Sequence, residues 1–183
     1  MHTLRLISHP STASEVVRGI EVQTRRPSGT TLELRYLVDG DIARLLIPDA
    51  RPSRRADRLW QHTCFEAFVA AGSGAGYYEL NFSPSTEWAV YRFSAYRKGM
   101  TAVERMRSPR ISTDVDADRL AVAVAVELEV LSELDTGVGL RIALCAVIED
   151  AKRRMSYWSL AHPPGKPDFH HPDGFALVLA ALT

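Results

Sequence analysis

The segment YYELNFS, residues 77–83, decides the fold, because its side chains alternate in character along the chain. Successive side chains of an extended strand point to opposite faces of a sheet. One predicted face is apolar and carries Tyr78, Leu80 and Phe82. The other carries Tyr77, Glu79, Asn81 and Ser83. We therefore expect a strand that turns one face to a core and presents polar groups on the other.

The same two-residue period recurs in both directions from this segment. Apolar residues alternate over residues 20–24 and again over 32–38, and Pro27, Ser28 and Gly29 lie between the two runs. Alternation on both sides of a turn predicts a β-hairpin. Further alternating runs over residues 122–128, 142–148 and 175–181 predict strands in the middle of a core.

Helical patterns are weak in this sequence. Residues 48–59 are polar with no apolar stripe at helical spacing, and the short run at 132–134 cannot form a useful helix. Many short strands separated by Gly, Pro, Asp and Ser are typical of a sandwich of two antiparallel sheets. The sequence predicts an all-β chain of about ten strands with little helix. No linker or repeat divides it, so we expect residues 1–183 to form one domain.

Composition narrows the classes of partner. The chain has 22 basic and 22 acidic residues, and this zero net charge argues against a nucleic-acid partner. The apolar runs are much shorter than the roughly 20 residues of a membrane-spanning helix, and the N-terminal residues do not form an export signal. We expect a cytoplasmic protein with no membrane partner. Cys64 and Cys145 lie in apolar runs and are interpreted as buried, reduced thiols rather than a disulfide or a reactive site.

Three aromatic-rich segments stand out: residues 59–70 (LWQHTCFEAFVA), 77–100 (YYELNFSPSTEWAVYRFSAYRKGM) and 156–175 (SYWSLAHPPGKPDFHHPDGF). They contain all three tryptophans, together with carboxylates, guanidinium groups and imidazoles. Flat apolar surfaces beside a few fixed polar groups are typical of a ligand recess. A binding site is the leading hypothesis.

The candidate site residues follow from strand periodicity and from position. Neighbouring antiparallel strands would align Glu66, then Glu79 or Asn81, and then Arg92 across one surface. Trp60 and Trp158 each stand at a strand edge beside a polar loop, where an indole face can stack on a sugar or another planar ring. The alternative is that the two tryptophans only cover the ends of the sandwich.

Metal binding and catalysis have weaker support. His162, Asp168 and His170 are the candidate metal ligands, but their spacing matches no known metal motif, so histidines bonded to loop carbonyls are preferred. Glu66 with Glu79, or Glu149 with Asp168, could supply an acid and a base for glycoside cleavage. The sequence has no nucleophile elbow, zinc-protease motif, phosphate loop or dinucleotide fingerprint. The interpretation is therefore of a non-catalytic protein.

From residue 59 onward the chain resembles a bacterial family of DOMON-like proteins, which are related in fold to the family-nine carbohydrate-binding modules. The resemblance rests on LWQHTCFEAF, YELNFSPSTEWAVYRF, YRKGM, SYWSLAHP and PDFHHPDGF. It implies a β-sandwich that binds a ligand without catalysis. It also implies that Trp60 and Trp158 enclose a sugar and that Glu66 bonds its hydroxyls; Asn81 and Arg92 match more loosely.

The resemblance leaves other ligands open. DOMON-type haem proteins use a methionine and a histidine as axial ligands, for which Met100 or Met155 with His162 or His170 are candidates. The sequence therefore predicts a small-ligand-binding domain, with carbohydrate preferred and haem or metal as the alternative. A protein-interaction module, in which the same aromatic residues form a hot spot, is a further alternative.

Overall fold

The computed structural model describes residues 1–129, 131 and 139–181. These residues form twelve strands: β1 (His2–Ser8), β2 (Val17–Arg25), β3 (Thr31–Gly40), β4 (Cys64–Ala71), β5 (Tyr77–Phe82), β6 (Trp88–Phe93), β7 (Thr101–Ala102), β8 (Arg110–Val115), β9 (Arg119–Glu127), β10 (Leu140–Glu149), β11 (Met155–Ser159) and β12 (Leu177–Leu179). Single 3-10 turns occur at Pro10–Thr12, Ile42–Arg44, Leu59–Gln61 and Pro172–Gly174. The predicted all-β character is confirmed. The pattern at 132–134 lies outside the described residues.

All strand pairs are antiparallel and follow the order β7-β6-β5-β4-β10-β11-β1-β2-β3-β9-β8, with β12 beside β10. The sheet divides into two halves, which we call the site half (β7, β6, β5, β4, β10, β11) and the opposite half (β1, β2, β3, β9, β8). They are joined where β1 pairs with β11, at Ile7 opposite Ser159 and Ser8 opposite Trp158. The two sheets expected from the sequence are thus one curled sheet.

The two halves face each other across the main core. Tyr36 of β3 packs on Phe65 of β4 with ring centres 4.9 Å apart, and its hydroxyl donates to the backbone oxygen of Glu66 at 2.8 Å. These contacts join the two layers at their centre. Inward-facing residues from both halves complete the core, among them Ile20, Val22, Val38, Leu80, Val122, Leu144 and Trp158. Most strands turn one face to this closed interior, and this explains why apolar residues alternate along so many of them.

Several predicted elements are confirmed in detail. The hairpin forms between β2 and β3, with Val22 opposite Tyr36. The runs at 122–128 and 142–148 lie in β9 and β10. The last predicted strand is shorter than expected, since only Leu177–Leu179 pairs with β10. Phe175 instead packs on the outer face of the site half.

Both cysteines are buried free thiols, as the sequence predicted. Burial raises the pKa of each thiol well above its ordinary value, so neither has the thiolate character of a reactive cysteine. Over the described ranges, no helix has the length and apolar character required to cross a membrane.

Candidate functional site

The site half carries a second cluster of aromatic residues on its outer face, away from the main core. Outward-facing residues of β4, β5, β6 and β10 pack there under the loops that follow β6 and β11. The members are Phe68, Ala70, Tyr77, Ala89, Tyr91, Phe93, Ala143, Cys145, Val147 and Phe169, with Leu59, Trp60, Met155, Tyr157 and Phe175 at the edge. The predicted polar face of β5 therefore lies beneath a partial cover.

A cleft of about 440 Å³ opens in this cover. Its floor is the sheet, and its walls come from the turn before β4 and from the loops after β6 and β11. The lining residues are Trp60, Glu66, Phe68, Glu79, Phe93, Arg97, Met100, Val147, Tyr157, Pro167, Phe169 and His170. This volume and mixture of aromatic and charged groups suit a small polar ligand.

A second hollow, of about 420 Å³, lies against the opposite half between Arg25, Glu33, Arg35 and Arg110. No aromatic residue lines it. Apart from Met1, its lining comes from neighbouring stretches of β2, β3, β8 and β9, so it lacks the loop walls of the first cleft. We therefore treat the cleft on the site half as the candidate site.

Trp60 is held at the cleft mouth by a short chain of contacts. It lies in the turn Leu59–Gln61, which follows Arg58 in the left-handed backbone region. Its ring meets Tyr91 edge-on at 5.7 Å, and the Tyr91 hydroxyl donates to Asp57 at 2.6 Å. Trp60 remains half-buried, so one part of the indole is fixed and the rest is open to the cleft.

Glu66 lies at the floor of the cleft among small residues. Across the sheet its outward-facing neighbours are Cys145 on β10 and Asn81 on β5, and the same row continues to Ser159 and Ala89. Small neighbours leave space above the carboxyl group. Glu66 is only 3% exposed, and its Oε1 has no hydrogen-bond partner among the described residues. A buried polar atom without a partner is costly, which marks Glu66 Oε1 as a group that a ligand would satisfy.

Glu79 is the second acid of the floor, diagonal to Glu66 across the β4–β5 pair. Its Oε1 accepts a 2.7 Å hydrogen bond from Asn81 Nδ2. Burial raises the pKa of both acids, and repulsion from Glu79 raises the pKa of Glu66 further. The hydrogen bond from Asn81 partly offsets this effect at Glu79. Two acids that resist ionisation therefore meet beneath one cleft.

His170 and Arg97 form the wall opposite the floor. Tyr77 hydroxyl and His170 Nδ1 are 2.8 Å apart, and His170 Nε2 lies 3.7 Å from Glu79 Oε2. Burial, reinforced by the charge of Arg97, lowers the pKa of His170 to about 4, so the imidazole is neutral at physiological pH.

Asp168 fixes the position of Arg97. Its carboxylate accepts from Arg97 Nη2 at 2.6 Å and from the Tyr96 hydroxyl at 2.5 Å. Burial alone would raise the pKa of Asp168, but these hydrogen bonds outweigh it and hold the pKa below its ordinary value. Asp168 is thus an ionised partner that neutralises Arg97.

Four of the six predicted site residues come together: Trp60, Glu66 and Glu79 line the cleft, and Asn81 supports Glu79. Trp158 does not. It points into the main core, is 5% exposed and donates from Nε1 to Ser156 Oγ at 3.0 Å. The prediction that Trp158 stands open beside a loop was wrong, because Trp158 lies on the inner face of β11 and its neighbour Tyr157 lies on the outer face.

Arg92 is also absent from the cleft. It shares a face of β6 with the core residues Trp88 and Val90, opposite to the face of Tyr91 and Phe93. The prediction that Arg92 aligns with Glu66 and Glu79 was therefore wrong. Arg97, which follows β6 in a turn, supplies the cation of the cleft instead.

The predicted metal candidates have other partners. His162 Nε2 bonds the backbone oxygen of Ile7 at 2.8 Å, and His162 is not among the residues that line the cleft. In the described part of the chain, no three His, Cys, Asp or Glu side chains are placed to hold a metal ion. Glu149 pairs with His62 and Arg153, whereas Asp168 pairs with Arg97, so these two acids are not brought together.

The cleft does not fit a haem. Met100 and His170 both line it, but each ring nitrogen of His170 already faces a polar group, Tyr77 or Glu79. To serve as an axial ligand, His170 would have to give up one of these two neighbours. Met155 lies at the edge of the outer aromatic cluster rather than in the cleft lining.

Seven lining residues were not predicted from the sequence: Phe68, Phe93, Arg97, Val147, Tyr157, Pro167 and Phe169. Tyr157 could have been found from the sequence, because the residue next to Trp158 must point to the opposite face of β11. The same holds for Phe93 on β6. Phe169 and Pro167 lie in a loop without periodicity, so no pattern located them.

Two solved structures have a similar fold. A candidate carbohydrate-binding protein from Bacteroides uniformis ATCC 8492 matches with a TM-score of 0.69 and 12% identity, over 95% of this chain and 84% of that chain. A family 9 carbohydrate-binding module from Caldicellulosiruptor kristjanssonii, solved in complex with cellotriose, matches with a TM-score of 0.50 and 12% identity, over 85% and 70%. The chain therefore shares the fold that the resemblance implied. No protein-family model and no curated protein matches the sequence.

Proposed function

We propose that this protein binds a carbohydrate, without catalysing a reaction, in the cleft above Glu66 and Glu79. The observation that carries the proposal is the pairing of a half-buried indole, Trp60, with a buried carboxyl oxygen that lacks a partner, Glu66 Oε1. A sugar ring has an apolar face that stacks on an aromatic ring and hydroxyl groups that bond to buried acids. One ligand thus satisfies both features.

The aromatic walls support this assignment. Trp60 and Tyr157 both line the cleft and are both half-buried, and Tyr157 is backed by Phe169 at 5.9 Å. Rigid, partly exposed rings lose little conformational entropy on binding. The resemblance to family-nine modules, whose two tryptophans enclose a sugar, favours the same arrangement with Tyr157 in place of Trp158.

The position of the two acids supports binding rather than glycoside cleavage. An acid and a base must act from different sides of the scissile bond, and one must be ionised while the other is protonated. Glu66 and Glu79 lie on one face of the sheet, and burial raises the pKa of both. The known neighbours in fold are carbohydrate-binding proteins and modules, which agrees with a non-catalytic role.

A recess favours a small ligand over a flat protein partner. The cleft residues are enclosed by loops after β6 and β11, so a large surface could reach only the rim. The cytoplasmic location and the single-domain organisation stay predictions of the sequence.

Isothermal titration calorimetry with glucose, cellobiose and cellotriose tests the proposal. At least one saccharide should bind the wild-type protein, and Trp60→Ala should weaken its binding by about tenfold or more. Trp158→Phe is the matched control. Trp158 lies in the core, so this variant should bind the saccharide with the same constant as the wild-type protein. Saccharide binding that survives Trp60→Ala would overturn the assignment of the site.

A further inference from the structure

We propose that the ligand of this cleft carries a positively charged amine, as an amino sugar does, and that Glu66 and Glu79 hold the ammonium group. The inference rests on the proposed carbohydrate binding and adds the chemical class of the sugar. Three observations carry it: the balance of charge in the cleft, the unpartnered acceptor at its floor and the aromatic composition of its walls.

Acidic residues outnumber Lys and Arg in the lining of the cleft. Glu66 and Glu79 are both acids, and Arg97 is the one Lys or Arg among the described lining residues. Arg97 is already neutralised by Asp168, through bonds of 2.6 and 3.2 Å. His170, whose Nε2 approaches Glu79, is neutral because burial lowers its pKa to about 4. Two buried acids thus share a site whose one guanidinium is bound to a third carboxylate, and its charge only partly offsets the effect of burial on the pKa of Glu79.

An ammonium group matches the acceptors that these acids present. Glu66 Oε1 is buried and has no partner, and Glu79 Oε2 has only the 3.7 Å approach of His170. An ammonium group has three N–H donors and a positive charge, whereas a hydroxyl group has one donor and no charge. A cation between the two carboxylates would therefore stabilise their ionised forms, which burial otherwise opposes.

The walls favour the same ligand. The aromatic residues that line the cleft are Trp60, Phe68, Phe93, Tyr157 and Phe169. Aromatic faces attract cations through the ring quadrupole, and the attraction strengthens where water is excluded. A neutral sugar would use the rings only for stacking, while a cationic sugar would use both their apolar and their electrostatic character.

The test compares three sugars that differ at one position: glucosamine, glucose and N-acetylglucosamine. Calorimetry at about pH 6 keeps the free amine protonated. We expect glucosamine to bind wild-type protein about tenfold tighter than either neutral sugar. Glu66→Gln should weaken glucosamine binding by a larger factor than glucose binding, because the variant loses both the charge and the hydroxyl acceptor for the first sugar and only the acceptor for the second, so most of the preference should be lost. Glu21→Gln, on the outer face of the opposite half, is the matched control and should keep the preference.

The outcomes separate this inference from the proposed function. Glucose binding as tightly as glucosamine would overturn the inference and leave carbohydrate binding intact. Methylammonium binding that depends on Glu66, without binding of any sugar, would support the cation site and overturn the proposed function. No binding by any of the four probes would overturn the inference, and a failure of cellobiose and cellotriose to bind as well would overturn both proposals. Circular dichroism verifies that each variant is folded, and Glu79→Gln provides a second variant with the same expected loss.

Discussion

The inner and outer faces of the site half are both rich in aromatic residues, yet they have different physical characters. On the inner face, Trp88 and Trp158 are 3% and 5% exposed and pack among aliphatic residues. On the outer face, Trp60 and Tyr157 are half-buried and share a cleft with Glu66 and Glu79. Aromatic content alone therefore does not mark a binding site in this fold. The candidate site is distinguished by partly exposed rings beside buried acids, one of which has an oxygen without a hydrogen-bond partner among the described residues.

The largest expected difference between the two faces concerns stability. Trp158→Ala should lower the free energy of unfolding by about 3–5 kcal/mol, because it leaves a large cavity in the main core. Trp60→Ala should lower it by less, by about 1 kcal/mol, because the ring is only partly buried. Urea unfolding monitored by circular dichroism measures both. Equal losses in the two variants would show that the faces do not differ as described.

A smaller effect is expected from the buried acid of the outer face. Burial raises the pKa of Glu66 above its ordinary value of 4.5, so the folded state binds more protons than the unfolded state above that pH. The stability contribution of protonated Glu66 is full below about pH 4.5 and is lost as the pH rises through the raised pKa of the folded state.

Glu66→Gln should therefore flatten the decline of stability with rising pH. At about pH 8 the variant should be more stable than wild type by on the order of 1 kcal/mol. Unfolding free energies measured over a pH series for both proteins give the comparison. Glu21→Gln should reproduce the wild-type profile. A variant with the same slope as wild type would mean that Glu66 ionises normally in the fold.

The smallest effect should come from the rim of the cleft. Asp168→Asn removes the ionised partner of Arg97, whose side chain is 51% exposed, so stability should fall by less than about 1 kcal/mol. The positive charge of Arg97 would then act on Glu79, and binding of glucosamine should weaken by roughly threefold. Glucose binding should change less. Equal weakening of the two sugars would indicate a purely structural role for Asp168.

Much of the fold could be predicted from the sequence, because alternating side chains specify a strand and its two faces. The two faces of β5 and the β2–β3 hairpin were predicted correctly for this reason. Alternation does not say which of two apolar faces points inward. Both faces of β11 and β6 contain aromatic residues, so Trp158 and Arg92 were placed on the wrong side.

The loop-borne part of the site could not be predicted in the same way. Arg97 adopts a positive φ of 52° in a turn, and Phe169 and His170 lie in a loop that folds back over the sheet. Their positions depend on long-range contacts, such as the bond between Tyr77 and His170. Local periodicity contains no information about contacts between residues so far apart in the chain.

The proposed function places the ligand at the outer face of the site half. The three tryptophans offer a direct test, because each gives one indole N–H signal in a ¹H–¹⁵N NMR spectrum of the labelled protein. During titration with glucosamine and with cellotriose, the Trp60 signal should shift progressively while those of Trp88 and Trp158 stay in place. A shift of Trp88 or Trp158 with Trp60 unchanged would contradict the account.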